Sequence, residues 1–346
     1  MKAVRYYAPG QVRVEHVPEP EPGPGEVKLR IRASALCGAD VRIHRHGSHR
    51  LVPPRVLGHE MAGEVAALGE GVTGWSVGDR AQVIGAIPCG ACAQCAAGRL
   101  NVCTVLEAMG HHYDGGFAEY CVVPAKVLAV DGLNRIPAGT GFTEAVFAEP
   151  LSCVMNGQEL VGVGPGDRVV VVGAGPIGCL HVRLARASDA AEVFLVELNK
   201  ERLGRAAALV RPDEAICAAD GRVTEEVLGL TGGRGADVVI TATPAGEALE
   251  QAVHYCAPRG RISVFGGLPK GDPLVTLDAN TVHYRELTIV GASASNPGQN
   301  ARALDLISSG AVAVADLVSH RLPLERFLDA LDIVERGDGV KVTFEP

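Results

Sequence analysis

Val169-Val170-Val171-Val172 runs directly into Gly173-Ala174-Gly175-Pro176-Ile177-Gly178, and that junction leaves the chain little choice of fold. Four consecutive β-branched apolar residues suit a strand buried on both faces, the condition of a parallel sheet covered by helices. Glycines at the first, third and sixth positions of the following run allow a tight turn, close backbone approach to a ligand, and tight packing of the next helix on the strand. Ile177 to Arg186 is compatible with that helix. A helix N-terminus presents unpaired N–H donors and the positive end of its dipole, so Gly173, Gly175, Pro176, Ile177 and Gly178 together suit a pyrophosphate. The next apolar strand ends at Glu197, about 20 residues on, where a carboxylate accepts hydrogen bonds from an adenosine ribose and repels a 2′-phosphate. The pattern favours NAD(H) over NADP(H), with Lys200 and Arg202 tempering the preference.

Apolar strands recur at Val193-Phe194-Leu195-Val196, Val238-Val239-Ile240, Ile262-Ser263-Val264-Phe265 and Leu287-Thr288-Ile289-Val290. This alternation over residues 151–290 predicts a doubly wound α/β domain of Rossmann type, with Phe265 and Gly266 among its cofactor contacts. Residues 1–150 read differently. Short β-rich runs such as Val27 to Ile31, Met61 to Val65 and Arg80 to Ile84 are punctuated by proline and glycine, which predicts a mostly antiparallel β domain. A helix at Ala301 to Ser309 and strand-like ends at Val318 to His320 and Val340 to Val342 mark a tail, 291–346, expected to rejoin that first domain.

Two domains also suit 346 residues, and 47% hydrophobic with 21% charged residues is an ordinary globular composition. A net charge of −8 argues against a nucleic-acid partner, which needs clustered positive charge. No apolar run approaches the roughly 20 residues that cross a bilayer, so no membrane partner is expected. The first residues enter a strand-like segment without the zones of a signal peptide. Ten cysteines, most without framework spacing, suggest a reducing compartment and hence the cytoplasm.

Four of those cysteines, Cys89, Cys92, Cys95 and Cys103, follow the spacing Cys-x₂-Cys-x₂-Cys-x₇-Cys. Four thiolates make a closed tetrahedral site, so the loop at about 87–104 is expected to hold a structural Zn²⁺. A redox pair competes poorly, since such motifs use two thiols rather than four. A catalytic metal must instead draw on separated segments and keep one position open. Cys37 can supply a thiolate, His59 an imidazole, and Glu149 or Glu60 a carboxylate or a group that orients the bound water.

These stretches carry a resemblance. The chain resembles the zinc-dependent medium-chain dehydrogenase/reductases of the alcohol dehydrogenase superfamily, in the polyol, sorbitol and threonine dehydrogenase branch. The matching segments are Cys37-Gly38-Ala39-Asp40, Gly58-His59-Glu60, the cysteine quartet, Gly115 to Tyr120, Glu149-Pro150-Leu151, Gly173 to Gly178 and Ser319 to Leu324. The resemblance implies a GroES-like catalytic domain formed by 1–150 and 291–346, a Rossmann domain at 151–290, and an active-site cleft at their junction. It also implies two zinc ions per subunit, with Cys37, His59 and Glu149 or Glu60 as the catalytic set and the quartet as the structural set. Glu197 and Arg202 fall where family members contact the adenosine end of NAD. Zinc would lower the pKa of a secondary alcohol so that its alkoxide releases hydride to the nicotinamide. The strand Leu287 to Val290 corresponds to one that pairs across subunits in relatives, implying a homodimer or homotetramer.

Two departures qualify the likeness. Ala39 and Arg42 stand where many relatives have a hydroxyl residue and a histidine that relay the alcohol proton, and an alanine methyl carries no proton. Glu149 with water, a substrate hydroxyl, or one of His44, His46 and His49 is then the expected route. Ala294-Ser295 stands where sorbitol dehydrogenases have an Arg-Tyr pair, so a roomier, less cationic pocket is expected, fit for a cyclitol, sugar or aminosugar. His111, His112 and Tyr113 are candidates for the pocket mouth. Competing readings are an NADPH-dependent reductase of a biosynthetic keto-sugar or ketone, a zinc-ribbon nucleic-acid binder, and a catalytically silent NAD- and zinc-binding scaffold.

Overall fold

The computed structural model describes all 346 residues. They form two compact units, Met1–Cys153 with Ala294–Pro346, and Val154–Ser293.

The first unit is built on a seven-stranded mixed sheet. Along its main path the strands run Leu133–Arg135, Arg80–Val83, Glu60–Leu68, Val27–Ala35, Lys341–Phe344, Val318–Leu322, and Tyr120–Val123 also pairs with Val27–Ala35. Most pairs are antiparallel, and Val318–Leu322 lies parallel to Lys341–Phe344. Val27–Ala35 alternates inward Leu29 and Ile31 with outward Arg30 and Arg32 along its middle, the period of a strand with one face in the core. Gly63 opposes this strand because a Cβ there would stand 2.3 Å from the Arg30 carbonyl oxygen.

The final strand brings the tail into this unit. Phe344 is fully buried with Phe117 and Phe327, ring centroids 5.2–5.6 Å apart. Burying an aromatic side chain contributes about 1.5–3 kcal/mol, so the seat of the two tail rings, Phe327 and Phe344, against Phe117 helps hold the tail to the N-terminal part of this unit. The helix Pro297–Ser308 begins four residues before the predicted Ala301. Asn296 caps it, Pro297 opens it, and Gln299 returns a side-chain oxygen to the Asn296 N–H, a start signal written in the sequence.

The second unit holds a six-stranded sheet in which every pair is parallel. Its order is Glu214–Cys217, Glu192–Glu197, Arg168–Val172, Ala236–Thr241, Cys256–Val264, Thr288–Gly291. Numbered along the chain this is 3-2-1-4-5-6, the doubly wound order of a dinucleotide-binding sheet. Val169, Val170 and Val171 are fully buried at its centre, as a run without polar alternation requires. The strand that was expected to include Phe265 ends at Val264.

Candidate metal centres and dinucleotide turn

The cysteine quartet closes on itself. Cys92 Sγ lies 3.6 Å from Cys95 Sγ and 3.8 Å from Cys103 Sγ, and Cys89 Sγ lies 4.0 Å from Cys95 Sγ. A tetrahedron with metal–sulfur bonds near 2.3 Å has edges of about 3.8 Å, so the thiols match zinc in both number and spacing. Backbone N–H groups of Ala91 and Cys92 point at Cys89 Sγ at 3.5 and 3.3 Å, and the Cys89 N–H points at Cys103 Sγ at 3.3 Å. Such donors favour thiolate. The N–H of Cys95, with Thr104, draws Cys92 down to about 5, whereas burial pushes Cys95 up to about 12. Packed thiolates repel one another, and a divalent cation is the charge that lets all four ionise together.

Cys37 caps the helix Gly38–His46, accepting from the Ala39 N–H at 3.5 Å, while the Asp40 carboxylate accepts from the Cys37 N–H at 3.0 Å. This reciprocal cap fixes the thiol's direction. His59 precedes the strand Glu60–Leu68, after Gly58 at φ +94°, where a Cβ would stand 2.8 Å from the Phe117 ring. One ligand atom from each of Cys37, His59 and Glu60 lies within 4.8 Å of the others. Asp40 Oδ1 is 3.7 Å from His59 Nδ1, which leaves Nε2 for a metal and gives the imidazole a carboxylate behind it. Burial opposes charge on His59, but Asp40, Cys37 and Glu149 overcome it and hold its pKa well above the usual range. A buried site this negative suits a divalent cation.

Glu60 is fully buried, and Lys341 Nζ donates to its Oε1 at 2.7 Å while lying 2.5 Å from Oε2. Glu149 opens the helix Ala148–Val161. Gly85 makes room for it, since a Cβ there would stand 2.6 Å from Glu149 Oε1. Burial raises the Glu149 carboxyl to about 7 despite the lowering influence of His59. Glu149 thus acts electrostatically on His59 without joining the tightest triplet. Ser152 Oγ donates to the Glu149 carbonyl oxygen at 2.6 Å and lies 2.6 Å from Ser295 Oγ, so Ser295 packs against the helix of Glu149.

The helix Gly38–His46 also explains its basic run. His44, Arg45 and His46 occupy the last turn, where cations complement the helix dipole. His44 is seven residues past Cys37, roughly 10 Å along the axis, and His46 and His49 are exposed. None is among the groups gathered with Cys37. Of the three loop residues, His112 Nδ1 accepts from the Ala108 N–H and the Tyr113 hydroxyl donates to Glu107. Only the His111 ring faces His59, with centroids 6.2 Å apart. Burial, then the charge of His59, lowers the His111 pKa.

Sequence reading missed Lys341 and gave Asp40 no task. A lysine in an apolar strand and an acid three residues past a helix-capping cysteine were the available signals.

In the second unit, Gly173 adopts φ +112°, and a Cβ on Gly178 would stand 1.7 Å from the Gly173 carbonyl oxygen. Nothing lies within 4 Å of a Cβ built on Gly175, and no side chain caps the helix Pro176–Ala187. An open, uncapped helix start fits a phosphate-bearing cofactor. Glu197 Oε2 accepts from the Ala174 N–H and Oε1 from the Asn199 N–H, both at 2.9 Å, and Arg202 lies 3.7 Å from Oε2. Glu197 therefore braces the glycine turn itself while keeping further acceptor capacity. Phe265 packs edge-to-face on His181 at 4.6 Å, and a Cβ on Gly266 would stand 2.2 Å from the Thr243 carbonyl oxygen.

Comparison with known proteins agrees with this geometry. Residues 23–131 match the family described as alcohol dehydrogenase GroES-like domain, and residues 176–309 match the one described as zinc-binding dehydrogenase. A sorbitol dehydrogenase of Halalkalibacterium halodurans is 31% identical over 98% of this chain and 97% of its own length.

The chain belongs to the zinc-binding alcohol dehydrogenase family.

An L-threonine 3-dehydrogenase of Pyrococcus furiosus is 34% identical to this zinc-binding dehydrogenase over 90% of the chain and 88% of its own. A Sinorhizobium meliloti 1021 protein described as a zinc-binding dehydrogenase, solved with NADP, superposes with a TM-score of 0.92 at 34% identity, covering 100% of this chain and 99% of that one. GroES-like and Rossmann architecture, oxidoreductase activity and a small-molecule substrate follow from membership. No helix is long and apolar enough to cross a membrane.

Proposed function

We propose that this dehydrogenase transfers hydride between NAD(H) and a secondary alcohol or ketone of a polyol, cyclitol, sugar or aminosugar. The observation that carries the reading is the convergence of Cys37, His59 and Glu60 in a buried, negative pocket beside Glu149. Cys37 and His59 would hold the catalytic zinc with a carboxylate from Glu60 or Glu149, and the quartet the structural zinc. Bound zinc supplies Lewis acidity that makes the alkoxide of a secondary alcohol accessible near neutral pH.

The remaining work falls to the chain. Asp40 orients His59, and Lys341 restrains Glu60. Ala39 offers no hydroxyl, so the alcohol proton leaves through Glu149 and water. Gly173 to Gly178 would cradle the pyrophosphate, with Glu197 and Arg202 at the adenosine ribose. Metal chemistry in 1–150 and 291–346, and dinucleotide binding in 151–290, are part of the same proposal.

Sorbitol and threonine dehydrogenases among the relatives support a hydroxyl-bearing substrate. The small pair Ala294-Ser295 supports a roomy pocket that admits a ring. The NADP-bound relative favours a second reading, an NADPH-dependent reductase; the charge of Glu197 opposes it. The edge strand Thr288–Gly291 pairs only with Cys256–Val264, which supports a homodimer or homotetramer. Ten free cysteines support a cytoplasmic location.

The test is turnover of zinc-loaded protein with NAD⁺ on a panel of polyols, cyclitols and aminosugars, and with NADH and NADPH on the matching ketones. Reduced nicotinamide should form. No turnover in either direction sinks the reading, and faster turnover with NADPH selects the second one.

A further inference from the structure

One imidazole beside the metal-ligating residues has no task in the reading above. His111 lies in a turn closed by a bridge between Met109 and Tyr113. The turn is pressed onto the segment that carries His59: a Cβ on Gly110 would stand 3.0 Å from the Gly58 nitrogen, and one on Gly115 2.0 Å from the Gly58 carbonyl oxygen. The Gly116 N–H donates to that same oxygen at 2.9 Å. Inside the turn, the His112 N–H donates to the Ala108 carbonyl at 3.0 Å and the Ala108 N–H to His112 Nδ1 at 3.1 Å. His111 is therefore mounted on backbone that is fixed relative to His59, as a group that reads a substrate must be.

Its tautomer is set by a second contact. His111 Nδ1 lies 3.2 Å from the Met109 carbonyl oxygen. A carbonyl only accepts, so Nδ1 carries the proton and Nε2 of the neutral ring is a bare lone pair. No group of the protein pairs with Nε2. With 6.2 Å between the His59 and His111 ring centroids, no long spacer separates a group held at one ring from a group held at the other.

The structure assigns His111 Nε2 as the specificity-determining acceptor for a hydroxyl or ammonium on the carbon next to the reacting carbinol. The assignment rests on the secondary-alcohol reading and adds to it the residue that reads the neighbouring donor. A substrate lacking the neighbouring donor leaves that lone pair without a partner on the substrate. Sites built to pair with a substrate hydroxyl discriminate strongly against analogues without it.

Two measurements test this. In the first, zinc-loaded protein is assayed with NAD⁺ on butane-2,3-diol against butan-2-ol, and on 1,2-cyclohexanediol against cyclohexanol. His111→Ala should lower the diol-to-monoalcohol ratio of kcat/KM about 10- to 100-fold, and His111→Gln, which keeps an acceptor near Nε2, should restore part of it. Zinc content should stay at two per chain. An equal loss on both alcohols, or no loss, overturns the assignment.

In the second, long-range ¹H–¹⁵N correlation of histidine-labelled protein, with His111 identified by its disappearance in His111→Gln, should show Nε2 unprotonated. It should shift with 1,2-cyclohexanediol and not with cyclohexanol. A proton on Nε2, or no diol-specific shift, also overturns it. Should no alcohol be oxidised, the dehydrogenase reading fails while the nitrogen shift still decides the role of His111.

Discussion

Acid should weaken the dinucleotide unit through one buried histidine. His181 lies on the helix Pro176–Ala187, fully buried, with Nδ1 3.2 Å from Gln158 Nε2, Nε2 without a partner, and Phe265 edge-to-face against the ring. Burial drives its pKa from 6.5 down to about 3. A base whose folded pKa is depressed stays neutral when the unfolded chain takes a proton. Above about pH 6.5 neither state gains a proton and the group costs nothing. Between 6.5 and about 3 the unfolded state binds the extra proton, so stability falls as pH falls, by about 1.4 kcal/mol per pH unit. From pH 7.5 to 5.0 the loss amounts to about 2 kcal/mol, a roughly 30-fold rise in opening. Native-state hydrogen exchange of peptides spanning 168–187, corrected for intrinsic rates, reads it directly. His181→Leu removes the titrating group, so its opening free energy should change about 2 kcal/mol less than the parent's over the same interval. An identical pH dependence in parent and variant refutes the reasoning.

Other outcomes follow from the same contacts. Cys92→Ser should remove one of two zinc ions and the exchange protection of residues 87–104, whereas Cys37→Ser should remove the other ion and abolish turnover, both read by metal analysis with activity. Lys341→Met leaves the Glu60 carboxylate buried without its cation, and should cost about 3–5 kcal/mol in urea unfolding. Adding Glu60→Gln should recover part of that loss. Glu197→Ala removes the charge facing a 2′-phosphate, so the NADP⁺-to-NAD⁺ ratio of kcat/KM should rise by about tenfold; the brace on the Ala174 N–H is lost as well, and should appear as weaker binding of both cofactors.

What could be read without coordinates was local. The glycine turn needs only a strand, three glycines and a helix in register, and the quartet needs only spacing, because each draws its function from a short stretch of chain. Glu60 and Lys341 are 281 positions apart, so no window of sequence pairs them; their contact exists only because the tail strand is laid beside Val27–Ala35. His111 and His112 are neighbours with different surroundings, and a single turn geometry decides which faces His59. Phe265 reads as part of an apolar strand, yet the strand stops one residue earlier and its ring turns onto His181, a packing choice set by Gly157, where a Cβ would stand 2.7 Å from the ring.

The central claim is that Cys37 and His59 share a zinc ion distinct from the one in the cysteine quartet. X-ray diffraction of zinc-loaded crystals on both sides of the zinc absorption edge tests it most directly. The account predicts two anomalous peaks per chain, one enclosed by Cys89, Cys92, Cys95 and Cys103 and one within bonding distance of Cys37 Sγ and His59 Nε2. A single peak in the quartet, with Cys37 and His59 unligated, would contradict it.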